Sequence, residues 1–90
     1  MKVMHMKNQN GGNAPNQFII THGDIKIFQS YDKTIAKLED GELTLDWDWD
    51  TWKHNATTMV YLNKFSGMST KELEQGIEEE SIRLINLNDE

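Results

Sequence analysis

Hydrophobic and polar positions alternate with a period of two through the first half of the chain. They change to a helical period in the second half. "QFIIT" (17–21) and "DIKIFQS" (24–30) are β-branched and aromatic runs separated by "HG", which predicts two strands joined at Gly23. "TIAKLE" and "ELTLDW" flank Asp40-Gly41, a dipeptide suited to the two-residue type I′ turn. That turn pairs Glu39 with Glu42, Leu38 with Leu43, Ala36 with Leu45 and Thr34 with Trp47. One face then holds Ala36, Leu38, Leu43, Leu45 and Trp47, and the other holds Ile35, Lys37, Thr44 and Asp46. Turn chemistry and alternation give the same register.

Further on, Asn55 suits a helix N-cap and Gly67 a left-handed C-terminus. Between them "ATTMVYLNKFS" sets Met59, Val60, Leu62 and Phe65 on a broad apolar stripe. Ser69 and Glu72 form a capping box that opens a second helix carrying Leu73 and Ile77. Gly76, and the acids Glu78–Glu80 at the unfavourable end of the helix dipole, keep that helix short. "SIRLINL" (81–87) reads as a closing strand. The predicted order is ββββααβ. This is an α+β domain with a small, mainly antiparallel sheet of about five strands and two short helices on one face.

Residues 1–16, "MKVMHMKNQNGGNAPN", contain amides, two glycines and the only proline, without hydrophobic periodicity. They read as a flexible tail preceding a single domain over 17–88. A core built from such a domain yields net stability on the order of 3–5 kcal/mol, which leaves little room for a deep, dry active site.

Composition narrows the function. The 90 residues include no cysteine, which removes disulfides, thiolate metal sites and a cysteine nucleophile, and suits a reducing cytoplasm better than secretion. No apolar run is long enough to span a membrane. The net charge of −6 is unevenly spread, with +3 over residues 1–37 and −9 over residues 38–90. The acidic part repels nucleic acid phosphates and favours association with a basic protein surface.

The densest candidate chemistry is "LDWDWDTW" (45–52). Asp46, Asp48 and Asp50 match the opening of a calcium loop, but Thr51 and Thr57 stand where glycine and a bidentate glutamate belong. An aspartyl-phosphate motif fails too, because Asp50 or Trp52 occupies the threonine position. His5, His22 and His54 have no ligand spacing, and "NATT" (55–58) is better explained as a helix cap than as a glycosylation site. No metal, cofactor or catalytic constellation emerges, so the expectation is a protein without enzymatic activity. By alternation, Trp47 and Trp49 continue the core face while the aspartates share a wet face. An exposed Trp49 or Trp52 beside acids would anchor a partner.

"FQSYDKTIA" (28–36) followed by Leu45, Asp46, Trp52, Thr57, Thr58, Tyr61, Phe65 and Gly67 resembles a family of small proteins from phages of Gram-positive hosts whose domain has no assigned function. The similarity spans about residues 17–87. His54 and Asn55 depart from a pattern in which tyrosine and serine are usual. The resemblance implies a phage origin. Small acidic phage proteins are often accessory factors that bind host proteins, including inhibitors of nucleases and of CRISPR or restriction systems. The expectation is therefore an inhibitory, anti-defence module. Its acidic-aromatic surface would comprise Glu42, Asp46, Asp48, Trp49, Asp50, Trp52, Glu78 and Glu79, and would face a basic host or defence-system protein. The alternatives are a structural homo-oligomer and a weak single-stranded nucleic-acid binder that stacks bases on its tryptophans.

Overall fold

A computed structural model describes residues 1–88. Six strands run in sheet order equal to chain order: β1 (Lys2–Lys7), β2 (Asn13–His22), β3 (Ile25–Ser30), β4 (Lys33–Glu39), β5 (Glu42–Asp46) and β6 (Arg83–Ile85). The first five pair antiparallel, whereas β6 pairs parallel to β5. A parallel return needs a crossover. It is supplied by three helices, α1 (Trp49–Trp52), α2 (Ala56–Ser66) and α3 (Thr70–Glu78). The fold is α+β, with one strand and one helix more than the pattern predicts.

Both predicted turns are present. Gly23 has φ +61°, and Asp40 and Gly41 have φ +54° and +78°, the pair of positive angles that a type I′ turn requires. The β4–β5 register is the expected one for Glu39–Glu42, Leu38–Leu43 and Ala36–Leu45. Thr34 and Trp47 do not pair. Thr34 instead has its backbone N–H and C=O engaged by the side-chain amide of Asn88 (2.8 and 2.9 Å).

Two corrections follow. Residues 1–16 are not a loose tail: Lys2–His5 pair with Phe18–Thr21, and Met6 and Ala14 are buried. The amides and glycines that suggest disorder form the connecting turn. Asn8 Oδ1 accepts the N–H groups of Asn10 and Gly12, and the Asn8 N–H donates to the Gly12 carbonyl. Ile35, placed by alternation on the outer face, is only 2% exposed. It is the extra residue of a β-bulge, since Phe28 opposes Ala36 and Gln29 opposes Thr34. A bulge turns two successive side chains to the same side, so Ile35 and Ala36 both enter the core.

The core is built on a cross-strand row. Ile19, Phe28, Ala36 and Leu45 are successive partners from β2 to β5, and the last three are fully buried. α2 covers β3 and β4. Its Phe65 stacks on Phe28 with ring centroids 5.8 Å apart, and its Thr58 hydroxyl hydrogen-bonds that of Ser30 (2.9 Å). Leu62 and Leu73 are also fully buried. Each large side chain so buried contributes roughly 1.5–3 kcal/mol.

Both predicted caps are formed. The Asn55 side chain accepts the Thr58 N–H, and Gly67 closes α2 with φ +71°. At α3 the Glu72 N–H donates to Ser69 Oγ (3.1 Å) while the Ser69 N–H donates to Glu72 Oε1 (2.9 Å). The Ser69 backbone bond, and then its side chain, hold the Glu72 carboxyl below its ordinary value of 4.5. A depressed carboxyl stabilises the fold above its unfolded value, and that contribution is lost as pH falls through the folded value. Glu72→Gln should therefore flatten this acid-side component in denaturation curves collected from pH 6 to 3.

Gly76 is buried because Ile82 packs directly on it: a Cβ there would lie 2.5 Å from Ile82 Cδ1 and 2.8 Å from its Cγ1. The helix-propensity gain of about 1 kcal/mol expected for Gly76→Ala is therefore outweighed. We expect a net loss of about 1–2 kcal/mol, read as a lower Tm, and its partial recovery in Gly76→Ala combined with Ile82→Val, which removes the closer of the two carbons.

Candidate functional site

β5 ends at Asp46, and the next residues abandon the strand. Trp47 donates its N–H to the Ile85 carbonyl of β6 (3.0 Å), and the Trp52 N–H already bonds the Asp48 carbonyl (3.2 Å). The expected alternation therefore fails at the tryptophans. Trp47, assigned to the core, is 64% exposed. Trp49 and Trp52 are 6% and 7% exposed and meet edge to face with centroids 5.0 Å apart. Neither is available as a partner anchor. Their spacing of three residues puts both on one face of a helical turn, a signal present in the sequence and masked by the D-x-D-x-D alternation.

The aspartates separate in the same way. Asp46 is 2% exposed. Its Oδ1 accepts the Leu87 N–H (3.0 Å) and its Oδ2 the Asp48 N–H (3.3 Å). It is a structural tie between β5, the turn into α1 and the segment after β6, and it offers no open carboxylate. Asp48 is half-buried and precedes α1 without a side-chain capping bond. Asp50 is exposed and paired with Lys53 at 3.1 Å, and Lys53 also lies 5.9 Å above the Trp49 ring.

The remaining expected acids lie elsewhere. Glu42 is exposed at the β4–β5 hairpin opposite Glu39, which pairs with Lys37 at 3.8 Å. Glu78 and Glu79 are exposed at the end of α3, where Gln75 Nε2 donates to Glu79 Oε2 (3.0 Å). Together with Glu74 they give α3 an acidic outer face. The eight residues thus do not form one surface.

The structure assembles a different acidic-aromatic feature. Asp32 and Lys33, from the β3–β4 turn, converge with Trp47, Asp48 and the segment Asn86–Asn88 on a groove of about 470 Å³. Asn88 holds one wall through its pair of hydrogen bonds to Thr34, and Asp46 holds the floor through Leu87. Among the described residues neither Asp32 nor Asp48 is ion-paired. Asp32 escapes sequence reasoning because it is far from Trp47 in the chain. Only the bulged β4 and the parallel β6 bring the two together.

Chemically the groove presents carboxylates beside an exposed indole. Among the described residues no group of three or more His, Cys, Asp or Glu is placed to hold a metal ion. No helix of the described residues is long and apolar enough to cross a membrane.

Because Asp46 closes the site, Asp46→Ala should cost about 1–3 kcal/mol by orphaning two backbone donors. It should also accelerate hydrogen exchange of the Leu87 amide. Asp46→Asn keeps an acceptor oxygen and should cost less, so equal losses in urea denaturation would contradict the assigned role.

No curated protein and no solved structure matches the chain. Residues 1–81 match the model of a family of unknown function, DUF8033, a match that includes β1 and all three helices. The protein is a member of that family.

Proposed function

We propose that the protein is a non-enzymatic accessory protein that binds, and thereby inhibits, a protein with a basic surface. The observation that carries this reading is Trp47, 64% exposed on a fixed turn beside the carboxylates of Asp32 and Asp48, which form no ion pair among the described residues. Tryptophan is enriched among residues that dominate binding energy, and carboxylates around it select lysine- and arginine-rich partners. The acidic outer face of α3 and the net charge of −6 add long-range attraction that raises association rates. The same charge disfavours nucleic acid as the ligand.

The resemblance of Phe28–Ala36 and of the Trp52–Gly67 segment to small phage proteins supports placing this activity in a phage-infected cell. There the partner would be a host or defence-system protein, such as a nuclease or a CRISPR effector, and carboxylates would stand in for nucleic acid phosphates. The compartment would be the host cytoplasm.

The test is affinity capture from host lysate at graded salt, comparing wild type with Trp47→Ala and with the pair Asp32→Asn/Asp48→Asn. Loss of the captured partner in both variants is expected, with a weaker salt dependence for any residual binding of the Asn pair. Trp47→Ala should lower affinity by roughly 2 kcal/mol, about thirtyfold. Asp50→Asn, whose carboxylate is engaged by Lys53, should change capture little. Retention of the same partner at unchanged salt dependence by both groove variants would overturn the proposal.

A further inference from the structure

The end of the sheet remote from Trp47 carries the opposite chemistry. β1 is an edge strand that pairs with β2 alone, so one row of its backbone N–H and C=O groups faces outward. α2 covers β3 and β4 and leaves Met4, Ile19 and Leu38 open on the same face of the sheet. With Phe65 at the end of α2, these side chains floor a groove of about 320 Å³. Lys26 and Lys64 line it, and among the described residues no carboxylate does; Lys64 Nζ donates to the Lys7 carbonyl (3.4 Å) and lies 5.0 Å from the Tyr61 ring centroid. Lys2 belongs to the same face, since Lys2, Thr21 and Lys26 are successive cross-strand partners. In a chain of net charge −6 this is a local reversal of sign.

Three features therefore coincide: unpaired strand backbone, an apolar trough alongside it, and cations at both ends of the trough. A second copy of the chain is a poor occupant. Antiparallel pairing of two β1 strands would set Lys2 against Lys7 of the copy, and like charges opposed across a ladder are unfavourable. The other sheet edge, β6, would bring Arg83 toward the same lysines.

We propose that β1 and its groove bind an extended acidic-apolar peptide segment of another protein, added as a seventh strand. Side chains at alternate positions share a face, so the face turned to the groove reads acid, apolar, apolar, acid. The two apolar side chains lie against Met4, Ile19 and Phe65. One acid meets Lys2 and Lys26, and the other meets Lys64. Main-chain bonds to β1 supply affinity, while the trough and its lysines supply selectivity. This surface is separate from the Trp47 groove: it lies at the opposite edge of the sheet and at the opposite end of the β3–β4 hairpin.

The experiment titrates the full chain, ¹⁵N-labelled, with the capped peptide Glu-Thr-Val-Thr-Leu-Thr-Glu and with its analogue carrying Lys at both Glu positions. Saturable amide shifts in β1 and β2, and shifts of the Phe65 ring, are expected with the acidic peptide. The Lys analogue should bind at least about tenfold more weakly, as should the acidic peptide to a Lys26→Glu/Lys64→Glu variant. N-methylation of alternate peptide amides on the edge-facing side should abolish binding. Equal affinity for both peptides, absence of saturable shifts at millimolar peptide, or shifts confined to the Trp47 groove would each overturn the proposal. So would light scattering that shows β1 already occupied by a second copy. The peptide comparison on the wild-type chain stands even if the double variant fails to fold.

Discussion

The parallel pairing of β5 with β6 is the constraint on which the rest of this molecule depends. The first five strands form an antiparallel meander that short turns complete by themselves, and each junction is local. β6 instead follows three helices in the chain, with α2 lying over the face that holds Phe28, Ala36 and Leu45. Three backbone pairs make the ladder itself, too few to hold a strand against solvent. The Asp46 carboxylate reinforces it by binding the Leu87 N–H, the Trp47 N–H by binding Ile85, and the Asn88 amide by bonding both backbone groups of Thr34. The C-terminal segment is thus pinned to β4 and β5 mostly through polar groups. The helices between are held by the buried side chains of Leu62, Leu73 and Ile82.

What could be read from the chain follows the range of the interactions that decide it. The Asp40-Gly41 turn, the Asn55 cap and the Ser69–Glu72 capping box are decided within a few residues, and all are as expected. The errors arise where distant parts meet. Residues 1–16 have no periodicity of their own, and become a strand because β2 offers a free edge and Asn8 organises the turn. Ile35 breaks its alternation because the β3–β4 register needs one extra residue. At "DWDWDTW" two local patterns compete, period two against a helical spacing of three. The helical one prevails once β4, which begins at Lys33 and is bonded by Asn88 at Thr34, leaves Trp47 no strand partner. Of the eight expected site residues, only Asp46 and Asp48 lie beside the exposed indole, and Asp46 is buried. The neighbourhood of Trp47 was not legible, because Asp32 joins it through a contact between residues more than ten positions apart.

The uneven charge acquires a spatial meaning in the fold. The excess of lysines in residues 1–37 and of carboxylates in residues 38–90 would be indistinct in a mixed topology. Here sheet order equals chain order, so a gradient along the sequence becomes a gradient across the sheet. Lys2 and Lys26 gather toward the β1 side, joined there by Lys64 from α2, while Asp48 follows β5 at the other side and Lys33 lies near it. α3 carries Glu74, Glu78 and Glu79 outward because its buried face is spent on Leu73 and Gly76. A dipolar molecule of this kind orients as it approaches a charged surface, and orientation limits the productive fraction of encounters.

The exposed indole is the remaining feature that stability does not explain. A tryptophan 64% exposed contributes little burial, whereas Trp49 and Trp52, two and five residues on, are packed. Flexibility is not the reason for its exposure, because its backbone N–H is bonded to β6 and its neighbour Asp46 is bonded on both carboxylate oxygens. The backbone that carries this large apolar side chain is thus held in place while the side chain itself stands in water. Such an arrangement lowers the ordering cost that a flexible aromatic would meet on binding. A turn that needed only to lead β5 into α1 could use almost any residue at position 47. The proposed role as a contact surface would account for an indole held there beside Asp32 and Asp48, carboxylates that form no ion pair among the described residues.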